Sequence, residues 1–329
     1  MYLTLGLIIF PLAVNAVNIV LSNDDGWADS NIRVLYRTLK ASGHGILLSA
    51  PSIDQSGTGS SMSPPAPLDY QCQYHTCPFG SPATGMWQTE PNITYVNSFP
   101  ASAMDYGINI SGPKRFGGRR PDLAISGINN GNVDNSGIAV PFSGTVGAAT
   151  HASILGIPSI VFSGQTNHRH AWKAIPPLHS RLYSALATNL TNTLLASGPP
   201  YLPPLTFLNV NFAAADPGLC DQESNFRFVM TRLYPAFPGL SGKDISVCGG
   251  DQRLVTEEKV LKTHMRRLNS ILSHDRTYKR GMGGKQSDHM ATAKGFDLMD
   301  SEQVLEQDIS THPTTYETKE TSKQGAQGP

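Results

Sequence analysis

Val17-Asn18-Ile19-Val20-Leu21-Ser22-Asn23-Asp24-Asp25-Gly26 decides the reading of this chain. A short β-branched apolar run breaks into Asn-Asp-Asp-Gly, and a helical pattern starts a few residues later. The expected result is a buried strand that delivers an amide and two adjacent carboxylates to a turn at its carboxyl end. Neighbouring carboxylates repel, and a cation between them relieves the repulsion. Hard oxygen donors favour Mg²⁺, Mn²⁺ or Ca²⁺ over Zn²⁺. The same four residues also make an ordinary solvated turn, so the motif gains weight only from its company.

Working outward, Ile32, Leu35, Tyr36 and Leu39 recur at helical spacing and Gly43 is a natural stop, after which Ile46–Pro51 reads as a second strand. Strand–helix–strand predicts a parallel, right-handed unit. Residues 52–63 form a polar Gly/Ser loop, and 64–91 lack periodicity and read as a surface excursion. Further strands are expected at Thr94–Ser98, Asp122–Ser126, Pro158–Ser163, Leu205–Phe212 and Phe226–Leu233. Helices are expected at Ala101–Ile110, at Gly144–Leu155 and around Leu182–Leu190. Alternation of this kind predicts a three-layer α/β/α Rossmann-like sandwich with a mostly parallel sheet.

The 329 residues carry 25 Lys+Arg against 25 Asp+Glu and are 39% apolar. That balance excludes a basic nucleic-acid footprint, so no polymer partner is expected. Residues 1–16 read as a signal peptide, with Leu3–Val14 almost continuously apolar and small residues before a cleavage after Ala16. A membrane anchor is the rival reading, but it would drag the acidic strand into lipid. Export agrees with the sequons at Asn92, Asn109 and Asn189, and with local pairing of Cys72 with Cys77 and of Cys220 with Cys248. A secreted or secretory-pathway (vacuolar lumen) glycoprotein, free of the membrane after cleavage, is therefore expected. The folded domain is placed at 17–260. Residues 261–329 have too few large apolar side chains to offset ordering entropy and read as a disordered tail.

Ligands of open α/β sheets bind beyond the carboxyl ends of the strands. Four polar loops leave such ends: Asn23–Gly26, Ser52–Ser61, Ser126–Asn132 and the segment before the helix at Gly144. Asp24 and Asp25, completed by the Ser56 hydroxyl and the Asn129 carbonyl, make a hard-oxygen set for a divalent cation. Ser143, Gly144 and Thr145 stand at a helix N-terminus, where free N–H groups and hydroxyls suit a phosphate; simple N-capping is the plainer alternative. A cation beside an anion cradle implies phosphate-ester hydrolysis, with Asp24 or Asp25 positioning a water or accepting its proton. His168 and His170, just after a strand, are candidates for substrate contact, general acid or metal chelation, against a solvated loop. His151 reads as packed within its helix, and His44 as a cation at a helix end.

These same segments resemble the SurE-like phosphatase/nucleotidases (survival protein SurE family). The resemblance rests on Ile19–Gly26, on Ala50-Pro51 followed by Gln55-Ser56-Gly57, on Ser126–Gly131, on Ser143–Val146 and on Leu208–Asn211, and it covers roughly residues 17–235. It implies a metal-dependent phosphoric monoester hydrolase, a 5′/3′-nucleotidase or acid phosphatase. It also implies Asp24, Asp25, Ser56 and Asn129 as metal ligands, and phosphate binding by Asn23 and Ser143-Gly144-Thr145. Assembly as a homodimer or homotetramer through C-terminal extensions follows from the same resemblance. Two departures stand out: the family's Gly-Thr-Pro-Ala-Asp-Cys loop becomes Asn97–Ala103 without its acid, and its closing strand is missing after Leu261. The expected activity is hydrolysis of phosphate monoesters, including nucleoside monophosphates. The alternatives are an inactive nucleotide- or phosphate-binding protein and a glycosylated surface-interaction protein.

Overall fold

The computed structural model describes residues 16–131, 137–166, 168–218, 220–229, 231 and 233. Almost all of the leader, Asn132, Cys248 (with its pairing to Cys220) and the 261–329 tail lie outside them. In chain order the elements are β1 (Asn18–Ser22), α1 (Ser30–Ala41), β2 (Gly45–Pro51), β3 (Thr84–Trp87), β4 (Glu90–Val96), α2 (Pro100–Tyr106), α3 (Gly112–Arg115), β5 (Leu123–Asn130), α4 (Gly144–Ile154), β6 (Ser159–Gly164), α5 (Leu178–Ala196) and β7 (Phe207–Phe212). They build one seven-stranded sheet of order β3-β4-β2-β1-β5-β6-β7. All pairings are parallel except β3 with β4. The order reverses around β1, which makes the β1/β5 boundary the switch point where such sheets take ligands.

Alternation along β1 divides the core into two faces. Ile19 and Leu21 pack with Leu35, Leu39, Leu186 and Leu190 of α1 and α5, whereas Val20 packs with Met104, Ile108, Ala148 and Ala152 on the α2/α4 side. The three layers expected from the strand–helix alternation are therefore present. Leu21 is fully buried, so Leu21→Ala is expected to cost about 2–5 kcal/mol of stability in urea melts.

Residues 64–91 form the expected excursion, with many residues exposed, and the expected Cys72–Cys77 bridge pins it. The segment also does what its sequence does not announce: Leu68, Cys72 and Cys77 are buried in the main core, and it ends in the antiparallel edge strand β3. Its apolar residues are too sparse to show a period. One expectation fails: the strand expected at Phe226–Leu233 is absent from 226–229, whose backbone pairs with no strand. Among the described residues no helix is long and apolar enough to cross a membrane. Asn92 lies on β4, Asn109 is exposed on the helical segment Gly107–Ser111 that continues α2 into α3, and Asn189 is on the exposed side of α5.

Candidate metal centre

The Asn23–Gly26 turn is fastened by its own first residue. Asn23 Nδ2 donates to the Gly26 carbonyl and Gly26 N–H donates to Asn23 Oδ1, both at 3.2 Å. Gly26 adopts φ +101°, a left-handed backbone that a β-carbon disfavours. Asn23, predicted to bind phosphate, is fully buried and spends both ends of its amide shaping the loop that carries the two acids.

Asp24 and Asp25 are buried and face different partners. Asp24 accepts from Thr145 N–H at 3.0 Å and from Thr145 Oγ1–H at 2.5 Å. The N-terminus of α4 therefore holds a carboxylate of the chain itself, as a helix's positive end favours. Ser143 caps α4 by accepting from Val146 N–H at 3.1 Å, and Gly144 lets the two segments touch. A β-carbon on Gly144 would lie 2.9 Å from both Asp24 Cβ and the Pro100 ring. Of the predicted phosphate cradle, Thr145 donates to Asp24 and the Ser143 hydroxyl caps the helix.

Asp25 accepts from Asn130 N–H at 2.8 Å and from Arg169 Nε–H at 2.6 Å. Asn130 reaches it because the β5–β6 register shifts between Ser126 and Asn129, which re-aims the strand end. Asn129 is buried beside it and donates Nδ2–H to the Gly131 carbonyl at 2.7 Å, which fixes the orientation of its amide. The Ser52–Ser61 loop closes over the centre: Gln55 N–H donates to the Asp24 carbonyl at 2.7 Å, and Gly59 N–H to the Phe142 carbonyl at 2.9 Å. Ser56, at the loop's exposed crest, donates its hydroxyl to Asp54 at 2.7 Å and accepts from Arg169 Nη2 at 3.0 Å. The structure thus brings all four predicted loops to one place.

Electrostatics set the chemistry. Burial first, and then the neighbouring Asp25, push the Asp24 carboxyl up to about 7 against the pull of Thr145. Burial raises Asp25 as well, opposed by Arg169. Burial and then Asp25 raise Asp29 well above the usual range. Among the described residues no three His, Cys, Asp or Glu side chains converge on one point. The candidate donor set is instead the two carboxylates of Asp24 and Asp25, completed by the Ser56 hydroxyl and the Asn129 carbonyl. Such a set would suit a hard dication, and Arg169 already places a positive charge on Asp25 and Ser56.

Between about pH 4 and 7 the folded chain holds a proton on Asp24 that the unfolded chain releases. Asp24's contribution to stability in EDTA therefore falls as pH rises through that window, with a limiting slope of about 1.4 kcal/mol per pH unit. Divalent-metal affinity rises over the same window, because metal displaces that proton. Urea melts of the chain against Asp24→Asn, taken across the window in EDTA, check the first expectation, and Mn²⁺ titrations check the second.

Arg169, Asp54, Asn130 and Gln73 escaped the sequence reading. Gln73 Nε2 donates to the Asp25 carbonyl at 2.7 Å from within the aperiodic 64–91 segment, where nothing marked it. Arg169 lies between the two histidines singled out above. His168 is exposed and His170 faces the ring of His179, 5.7 Å away. Burial and then those two histidines lower His179 to about 4. His151 pairs with Asp105 at 2.9 Å and His44 Nε2 with Asn192 Oδ1 at 2.8 Å, so both serve the scaffold. Where the family's acidic loop residue is missing, Ser102 accepts from Ser63 N–H at 3.0 Å and lines a cavity of about 420 Å³ with Asp105 and Tyr106.

A doubly wound α/β/α domain with an acidic oxygen-donor centre at its switch point is thus defined. The chain belongs to the survival protein SurE family, whose profile matches residues 19–234. Among relatives, an "Acid phosphatase" of Yarrowia lipolytica is 33% identical over 61% of this chain and 58% of its own length. A "5'-nucleotidase SurE" of Lawsonia intracellularis is 32% identical over 60% and 66%. The "5'-nucleotidase SurE 1" of Thermus thermophilus is 33% identical over 67% and 77%. The chain spans less than two thirds of the first two relatives' lengths. A solved structure of the Sure protein from Aquifex aeolicus matches at 27% identity with a TM-score of 0.43, over 60% of this chain and 66% of its own.

Proposed function

We propose that the chain is a divalent-metal-dependent phosphatase that hydrolyses phosphate monoesters, including nucleoside monophosphates. The observation that carries this reading is the burial of Asp24 and Asp25 side by side at the switch point, closed in by loops that bring Ser56 and Asn129 beside them. Family membership and relatives named as nucleotidases and an acid phosphatase support it. Asp24, Asp25, Ser56 and Asn129 would hold Mg²⁺ or Mn²⁺, with Ca²⁺ as a third candidate. Bound there, the ion would supply Lewis-acid polarisation of a phosphoryl oxygen and a water of lowered pKa. The chain's own part is to hold Asp24 by Thr145, Asp25 by Asn130, and the turn by Asn23. Ser143, Gly144 and Thr145 border the place where the phosphate would sit. Export to the secretory pathway, glycosylation at the sequons and self-assembly into a dimer or tetramer complete the proposal.

The test is phosphate release by the chain from p-nitrophenyl phosphate and from the nucleoside monophosphates, in Mg²⁺, in Mn²⁺ and in EDTA. Turnover that EDTA abolishes and metal restores is the expected result. A folded chain that binds a nucleoside monophosphate yet releases no phosphate with any metal would replace this reading by the inactive binding protein.

A further inference from the structure

We propose that Arg169 is a built-in cation that competes with the divalent metal for the ligands of the centre. The proposal rests on the metal-centre reading above. The Arg169 guanidinium bridges three acceptors: Asp25 Oδ1 through Nε at 2.6 Å, Ser56 Oγ through Nη2 at 3.0 Å and Asp54 Oδ2 through Nη1 at 2.7 Å. Asp25 and Ser56 are two of the four residues assigned to the metal. A planar guanidinium satisfies several acceptors at once, and it reaches a carboxylate with no solvent exposure. That distinguishes it from an exposed ion pair of small consequence.

Its placement is held by the backbone. Ser30 N–H donates to the His170 carbonyl at 2.8 Å and Trp172 N–H to the Ala28 carbonyl at 2.9 Å, and Asp29 pairs with Ala171 as an antiparallel bridge. These bonds clip residues 170–172 against the start of α1 and present Arg169 to the acidic turn. The side chain itself remains 37% exposed, with room to swing outward. A dication on Asp25 and Ser56 would repel a guanidinium on the same atoms. Metal binding is therefore an exchange, in which Arg169 releases Asp25 and Ser56 and keeps Asp54, which is not among the assigned ligands and is itself 38% exposed. A competitor seated on the ligands nine-tenths of the time weakens apparent affinity about tenfold.

The experiment is Mn²⁺ titration of the full chain, of Arg169→Gln and of Arg169→Lys, with free Mn²⁺ read by electron paramagnetic resonance and the thermal shift measured alongside. Arg169→Gln should bind Mn²⁺ about tenfold more tightly and show a larger Mn²⁺-induced rise in melting temperature. Lysine keeps the charge but loses the fork, so Arg169→Lys should fall between the two, and it decides the matter alone where Arg169→Gln does not fold. Affinity that is unchanged or weaker in the variants overturns the exchange. The control is Asp24→Asn/Asp25→Asn: Mn²⁺ binding that survives there overturns the metal centre itself. Loss of binding there, with equal affinities for the chain and its Arg169 variants, overturns the Arg169 role alone.

Discussion

Asp24→Asn/Asp25→Asn is expected to leave a folded protein whose phosphomonoester turnover has dropped at least about a thousandfold. Metal assistance to phosphoryl chemistry is worth several kcal/mol, and each 1.36 kcal/mol is a decade in rate. The fold should tolerate the change, because the pair is under strain in its charged form. Burial and mutual repulsion push Asp24 up to about 7, and asparagine removes the charges while keeping the shape. Initial rates in saturating Mn²⁺ beside circular dichroism of both proteins separate loss of the site from loss of the fold. Activity within tenfold of the parent would show that these acids are not the site.

Gly144→Ala carries the second large effect, and it acts through packing. The added methyl would lie 2.9 Å from Asp24 Cβ and from the Pro100 ring, closer than real β-carbons approach other atoms. Either α4 retreats or the acidic turn moves, and both loosen Thr145's grip on Asp24. Overpacking of this kind costs about 1–3 kcal/mol of stability. Misplacing a reacting group by about 1 Å costs on the order of a hundredfold in rate. The expectation is therefore a turnover loss of roughly ten- to a hundredfold with a modest fall in melting temperature. Steady-state rates and a thermal melt of the one variant check both.

Much of the scaffold was legible because its signals are local. β1, α1, β2, α4 and α5 announce themselves by apolar spacing and by Gly or Ser at their ends, and strand–helix alternation then allows few topologies. The acidic turn was legible for the same reason, since Asn23–Gly26 comes directly after a strand whose centre, Ile19–Leu21, is apolar. What escaped were partners set by tertiary approach. β3 and the core residues Leu68, Cys72 and Cys77 sit in a Pro- and Gln-rich stretch with no period, so only the folded sheet shows what they cover. Thr145 was read toward an external phosphate because a helix N-terminus invites an anion. That Asp24 is one such anion depends on Gly144 allowing α4 to approach from more than a hundred residues away. Arg169 was hidden between two histidines that looked more chemical, and only the clip between residues 170–172 and α1 aims it at Asp25. Asp54, two residues before Ser56 in a loop already marked, was the one omission the sequence offered openly.

The most direct test of the metal centre is anomalous diffraction at the manganese edge from crystals of the full chain grown with Mn²⁺. The expected map has one strong peak in contact with the carboxylates of Asp24 and Asp25, the Ser56 hydroxyl and the Asn129 carbonyl. A peak elsewhere, or none under conditions where the protein turns over phosphate, would contradict the centre described here.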